Sequence, residues 1–251
     1  MDLQLTYEII ALLVGVALVA GFIDAMAGGG GLLTIPALLL AGVPPVATLG
    51  TNKLQAVAGS FSASVTMVKK DIIHPKHIVF ALVMAFVGSA LGTLAVQQMP
   101  PDALIKILPV LIGAIGLYTL FAPNLGEVAR TPRISDKLYQ RLVVPVIGFY
   151  DGYFGPATGT FFSLSNVVLR GADLVRATGM AKLCNFATNL ASVLFFAWGG
   201  QILWKVGLFM MIGQAVGAYF GSRMVIKGGA RFVRPVIVLM CFAMVIKFVW
   251  G

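Results

Sequence analysis

Apolar runs separated by short polar interruptions fill almost the whole chain. A helix that crosses a bilayer needs about 20 apolar residues. Runs near that length fall at Tyr7–Ala27, Val46–Val68, Ile78–Val96, Leu104–Ala122, from about Leu142, at Leu174–Trp198, Val206–Ser222 and Pro235–Trp250. Two further segments, Leu32–Ala41 and Phe161–Leu169, are too short to span. The first is stopped by Gly42 and Pro44-Pro45, the second by Gly171. Each reads as a half-helix or a short tilted crossing beside the helix that follows it.

The interruptions repeat. Gly21 to Lys53 reads GFIDAMAGGGGLLTIPALLLAGVPPVATLGTNK, and Gly148 to Lys182 reads GFYDGYFGPATGTFFSLSNVVLRGADLVRATGMAK. Gly21-Phe22-x-Asp24 matches Gly148-Phe149-x-Asp151. Gly30, Gly42, Gly50 and Lys53 fall on Gly159, Gly171, Gly179 and Lys182 at one constant offset, so the copies differ by two residues in the Gly-rich turn. Lys76 matches Lys205, and Gly88/Gly92 match Gly217/Gly221, at that same offset. An internal repeat of this length sets the architecture. An acid, a lysine, glycines and prolines inside apolar sequence are costly in lipid. A charge at mid-bilayer costs about 2.5–3.5 kcal/mol on insertion scales, and broken helices survive only where freed backbone lines a cavity or finds partners. Both stretches therefore read as walls of a site.

Composition excludes a soluble domain of any size. The 251 residues are 59% hydrophobic and 11% charged, with mean hydropathy +0.96, against about 25% charged in soluble domains. The net charge of +9 sits in short loops, which is the positive-inside pattern and not a nucleic-acid surface. Basic loops follow the segments ending at Val68, Ala122 and Ser222; the loops after Val96 and Trp198 hold no base. Equivalent loops of the two copies then lie on opposite sides. This predicts an all-α polytopic membrane protein built from two inverted-topology repeats of about five helical segments each, with short broken or re-entrant helices near the Gly-rich motifs. The repeats are residues 1–122 and 142–251, joined by a basic cytoplasmic linker, 123–141. Both termini fall outside, which suits Asp2 and Glu8. Without a basic n-region, the first helix reads as retained. Cys184 and Cys241 sit in apolar segments and read as free thiols.

Asp24 and Asp151 are either caps of helix ends or groups that carry a proton or pair a charge. Lys53 and Lys182 are either anion ligands or partners of those aspartates. Related by a pseudo-two-fold axis, the two lysines would form a doubly positive site for a small anion. The glycine turns, Gly28 to Gly31 and Gly155 to Gly159, offer backbone amides of the kind that meet an anion at a half-helix N-terminus. Candidate substrate ligands are therefore Lys53, Lys182, Thr51, Asn52, Gly29, Gly30, Gly31, Thr158, Gly159, Thr160 and Asn185. Thr34, Gln55, Ser163 and Asn189 could complete a hydrogen-bonding shell, or simply join helices. His74 and His77 have no Cys, Asp or Glu at ligand spacing except Asp71, so no metal and no cofactor is expected. HExxH, GxSxG and P-loop patterns are absent, which argues against an enzyme. The ridge Gly213-x-x-x-Gly217-x-x-x-Gly221 could pack helices within a chain or between copies in a homo-oligomer.

The stretches GFIDAMAGGGGLLTIPALLLAGVPPVATLGTNKLQA and GFYDGYFGPATGTFF resemble the sulfite exporter TauE/SafE family, over almost the whole chain. The second resembles the branch described as membrane transporters without an assigned substrate. The resemblance implies a bacterial cytoplasmic (inner) membrane and secondary transport of small sulfur-containing anions. The matching positions are Asp24, Gly28 to Gly31, Pro36, Pro44, Thr51, Asn52, Lys53, Asp151, Gly155, Gly159 and Lys182. The second copy replaces Thr51-Asn52 by Met180-Ala181 and Pro36 by Ser165, so the polar ligands come mostly from the first. The expectation is a secondary transporter, exporter or permease, of a small anion such as sulfite or an organosulfonate, coupled to protons, with Na⁺ as open as H⁺. A non-transporting membrane scaffold and a passive anion channel are the alternatives.

Overall fold

The computed structural model describes residues 6–100, 102–104, 106, 107, 110 and 131–228. The segments expected at Leu104–Ala122 and Pro235–Trp250 lie wholly or mostly outside these residues, as does Cys241. Cys184 is a buried free thiol.

All described elements are helical. α1 (Tyr7–Ala27) starts where the Thr6 side chain accepts the Ile9 amide, and stops at left-handed Gly28 (φ 80°), whose N–H returns to the Asp24 carbonyl. α2 (Gly31–Leu40) is ten residues long. α3 (Pro45–Lys69) opens on a proline, whose fixed φ suits a first helical turn. α4 is Val79–Gln97. In the second half, Asp136–Leu138 passes through a π-helical turn, Tyr139–Val143, into Val144–Tyr153, and the three together form α5. α6 is Thr158–Arg170, closed by left-handed Gly171. α7 (Leu174–Trp198) is capped by the Asp173 side chain, which accepts the Arg176 amide at 3.0 Å. α8 is Trp204–Gly228.

Three boundaries differ from the apolar pattern, each because a helix begins or ends in polar sequence. α5 starts at Asp136, six residues before Leu142, within the expected linker. Its first turn is polar, but Ser135 caps it by accepting the Leu138 amide, and Tyr139 is buried. α6 starts at Thr158, so the second Gly-rich turn is shorter than expected and Thr158 to Thr160 are already helical. α8 continues past Ser222 and carries Arg223 and Lys227 on its last turns.

α3 and α7 cross at the centre and run antiparallel. Gly50 near the start of α3 abuts Gln201 after α7, while Gly179 near the start of α7 abuts Ile72 and Ile73 after α3. Their contact includes the Asn189 amide donating to the Ser60 hydroxyl, residues related by the repeat offset. The first helix of each half packs along the fourth helix of the other. Gly213, Gly217 and Gly221 of α8 sit on the backbone carbonyls of Val14, Leu18 and Phe22 of α1. Gly88 and Gly92 of α4 sit on those of Pro145 and Phe149 of α5. A methyl group at any of these glycines would overlap the opposing carbonyl, so the small residues set the helix separation. The glycine ridge thus serves packing within the chain.

α1, α4 and α7 are long and apolar enough to cross a membrane. Apolar side chains such as Leu12, Val83, Leu91, Val146, Leu194, Ile212 and Phe220 point outward, an arrangement that suits lipid and not water. The two ends of the bundle differ. One apolar cluster joins Ile10, Leu38, Val43, Ala47 and Val206, the starts of α1, α3 and α8. Exposed Tyr7, Trp198 and Trp204 belong to this end, as an interfacial aromatic belt would. At the other end, clusters join Met67, Ile73 and Val225, then Ile73, Ile78 and Tyr139. Exposed Lys69, Lys70, Lys76, Lys137, Arg141, Arg176, Arg223 and Lys227 gather there.

Candidate functional site

Each repeat breaks its helix at a glycine turn, and the break points an aspartate inward. Asp24 lies in the last turn of α1 and Asp151 in the last turn of α5; both are buried. Lys53 and Lys182 each stand eight residues into a long central helix, α3 and α7. At about 1.5 Å per residue, each lysine is about 12 Å along its helix. Because α3 and α7 are antiparallel, the two lysines sit toward opposite ends of the bundle.

The charges pair across the halves. Lys53 Nζ donates to Asp151 Oδ1 at 2.6 Å, and Lys182 Nζ donates to Asp24 Oδ2 at 3.2 Å. Lys182 also donates to the Asp24 backbone carbonyl, at the C-terminal end of α1, where a helix dipole favours a cation. Asp24 lies near enough to Lys53 to attract it as well. The lysines therefore do not form the doubly positive site expected of them: each has its own carboxylate, and the four formal charges cancel. An isolated ion in such surroundings would cost several kcal/mol, which is why the partners are recruited.

Between the pairs the two Gly-rich turns touch. Gly28 lies against the backbone of Gly159 and Thr160, and a Cβ on Gly159 would stand 2.6 Å from Gly28 Cα and 3.1 Å from Lys182 Nζ. The Thr160 hydroxyl donates to the Ala27 carbonyl. Only backbone fits at this crossing, which explains glycine at both positions. The Gly30 amide donates to Asp24 Oδ1 at 3.3 Å. In the second half a side chain does this work: the Thr158 hydroxyl lies 2.7 Å from Asp151 Oδ1 and 2.8 Å from the Gly155 carbonyl, and its one proton is shared between these acceptors.

The other candidates divide. Asn52 faces α2, where its Oδ1 accepts from the Thr34 hydroxyl (2.6 Å) and from Gln55 Nε2 (2.9 Å). All three residues are buried, and Gln55 Oε1 has no hydrogen-bond partner. This polar cluster exists in one half only, because Ser163, Ala181 and Cys184 occupy the equivalent places. Gly31 lies close to Asn52. Thr51 does not join the site: its hydroxyl accepts the Leu203 amide at 3.0 Å and holds the loop between α7 and α8. Asn185 is buried one turn beyond Lys182 on α7, on the inner side of the bundle. Ser163 is half-exposed. Gln214 was not anticipated. It is a buried amide on α8 that packs against Gly21 and Gly59, with its Oε1 unpaired; a glutamine inside an otherwise apolar run was the available signal. Among the described residues, no three His, Cys, Asp or Glu side chains come together as metal ligands would.

Comparison with known proteins gives one consistent result. Residues 13–248 match the model of the family described as sulfite exporter TauE/SafE. A relative from Haemophilus influenzae, named "Probable membrane transporter protein", is 51% identical over 243 residues, covering 97% of this chain and 95% of its own. The "Probable membrane transporter protein YfcA" of Escherichia coli K12 is 44% identical over 235 residues, covering 94% and 87%. A Sinorhizobium protein, "Probable membrane transporter protein ORF9", is 43% identical over 244 residues, covering 97% and 94%. No solved structure matches.

Proposed function

The chain belongs to the sulfite exporter TauE/SafE family of membrane transporters, and from that premise we propose that it is a proton-coupled secondary transporter of a small anion, sulfite or an organosulfonate. The observation that carries the reading is the pair of buried ion pairs, Lys53–Asp151 and Lys182–Asp24, each joining one half of the chain to the other. A carboxylate that gains a proton releases its lysine, and the released ammonium is then a site for an anion. The Gly30 region, Asn52 and Thr158 orient what binds there. Asp24 and Asp151 hold the lysines and supply the proton sites. Motion of one half against the other must break or remake these cross-half contacts, which ties ligand and proton to alternating access.

The proposed topology is two inverted repeats in a bacterial inner membrane. The antiparallel α3 and α7 and the exchanged packing of first and fourth helices support it. The base-rich end faces the cytoplasm under the positive-inside rule, and the end with Tyr7, Trp198 and Trp204 faces the periplasm.

The test is uptake of labelled sulfite and a panel of small sulfonates into proteoliposomes, with and without an imposed pH gradient. Accumulation driven by the gradient, lost on replacing both lysines by Met in folded protein, is the expected result. Flux unchanged by those replacements overturns the site. A scaffold is the second reading, favoured by the fact that each lysine already has a partner; folded protein that moves none of these anions supports it.

A further inference from the structure

The two carboxylates are not equivalent. We propose that Asp151 is the carboxylate that binds the coupling proton, at Oδ2, and that Asp24 stays ionised as a structural anchor. The inference deepens the transport reading above and rests on it for its functional meaning.

Asp24 has both oxygens engaged. Oδ1 accepts the Gly30 amide and Oδ2 accepts Lys182. Lys182 is also bound to the end of α1 through the Asp24 carbonyl. A proton arriving at Asp24 has to share an oxygen with one of these donors. Asp151 places both of its donors, Lys53 and the Thr158 hydroxyl, on Oδ1. Its Oδ2 is sealed from water and has no donor at all. A buried carboxylate oxygen without a donor is costly while the group is charged. A proton on Oδ2 removes that cost and leaves both donors on Oδ1 in place.

Among the described residues the one other carboxylate near Lys53 is Asp24, which is paired with Lys182. α4, which packs along α5, has no acid, lysine or arginine. α3 contributes Lys53, and α7 contributes Lys182, which is committed to Asp24; Arg176, on the first turn of α7, is exposed at the base-rich end beside Asp173. On α6 the charged residue is Arg170, which pairs with Asp136 at the far end of α5. The neighbouring Tyr150 donates to the Pro156 carbonyl at 2.8 Å.

The step balances with a hydronium ion from the aqueous side as proton donor: one of its O–H bonds breaks, an O–H bond forms on Oδ2, and a water molecule is left. The carboxylate loses its charge, and Lys53 loses the anion it is hydrogen-bonded to, leaving the ionised Asp24, already paired with Lys182, as the remaining carboxylate near it. One anion then takes the place of the carboxylate charge. A monoanion therefore moves with one proton, electroneutrally.

Infrared difference spectra of the purified full chain, taken between acidic and alkaline buffer, test the assignment without any substrate. The C=O band of a buried protonated carboxyl should appear in the wild type and in Asp24→Asn, vanish in Asp151→Asn and shift in Asp151→Glu. If Asp151→Asn fails to fold, Asp151→Glu and the double change Lys53→Met with Asp151→Asn give the same answer. A band lost in Asp24→Asn and kept in Asp151→Asn overturns the proposal, as does the absence of any such band in the wild type. In proteoliposomes, sulfite exchange at equal pH on both sides reads transport alone. No exchange by the wild type defeats the transport reading and leaves the infrared result standing. Where the wild type exchanges sulfite, a pH gradient should accelerate that exchange, and Asp151→Asn should lose the acceleration. Acceleration that persists in Asp151→Asn sinks the assignment.

Discussion

Lys53 reaches Asp151 at 2.6 Å with both side chains 2% exposed, whereas Lys182 reaches Asp24 at 3.2 Å and leaves that aspartate 11% exposed. The same two residue types, at matching places in the repeat, meet different surroundings. In the first pair a hydroxyl, Thr158, crowds onto the oxygen already used, and the second oxygen is stranded. In the second pair a backbone amide, Gly30, takes the free oxygen, and a helix-end carbonyl shares the ammonium. The two-residue difference between the Gly-rich turns separates these outcomes. The first turn brings its own amide to its aspartate, and the second brings Thr158. Duplication supplied two charged pairs, and divergence of the turns made one self-sufficient and left the other dependent on what it binds.

Removing one partner should expose this contrast most strongly. Lys53→Met leaves Asp151 enclosed and alone, and breaking a buried pair this way costs about 3–5 kcal/mol. The thermal midpoint of the purified protein should fall accordingly and recover largely when Asp151→Asn is added. A double variant as unstable as the single one would show that the pair is not an electrostatic unit.

The second pair should respond less. Lys182→Met leaves Asp24 with the Gly30 amide and some contact with solvent, so the expected loss is about 1–3 kcal/mol. Equal losses for the two lysine variants, measured in the same detergent, would erase the difference between the pairs.

The seams that hold the halves together bear on the comparison too. Gly217→Ala and Gly92→Ala each place a methyl group on an opposing carbonyl, of Leu18 and Phe149. Overpacking of this kind costs about 1–3 kcal/mol, and the two losses should be similar if the seams are equivalent. Gly15→Ala, on the same α1 helix with nothing near its Cβ, should stay within about 0.5 kcal/mol of the wild type. A large effect there would mean that helix propensity and not contact governs these sites.

Smallest of the site effects is Thr158→Val. It removes one hydroxyl donor from Asp151 and keeps the volume, for about 1 kcal/mol. The loss, read as the thermal midpoint in the same detergent, should disappear when Thr158→Val is added to Asp151→Asn. An equal loss in that background would show that the hydroxyl does not act on the carboxylate.

Much of the fold was legible from periodic breaks in apolar sequence. The expected segments Tyr7–Ala27 and Leu174–Trp198 coincide with α1 and α7, because each is one long, mainly apolar run that begins at a polar cap and stops where glycine intervenes. The start of α5 was hidden because a helix that leaves the membrane needs no apolar run; Ser135 and Asp136 mark it by capping alone. Within the site, the repeat pointed to Asp24, Lys53, Asp151 and Lys182 as a set. It left the lysines open as anion ligands or as partners of the aspartates, and the structure pairs each with the aspartate of the other half. Thr51 was misplaced for a related reason. Its neighbour Asn52 points to α2, and a rotation of about 100° per residue along α3 sends Thr51 toward Leu203 instead.

The sequence by itself thus determined the membrane class, the internal duplication and the residue types that cannot sit in lipid unassisted. These follow from transfer free energies, which depend on residue identity and order along the chain. Only the tertiary structure decided which lysine meets which aspartate, that each pair joins opposite halves, and that one carboxylate oxygen is left without a donor. Those are properties of distance between residues about a hundred positions or more apart. A buried charge is satisfied or stranded by atoms within about 3 Å, and nothing in the linear order of the chain states who those neighbours are.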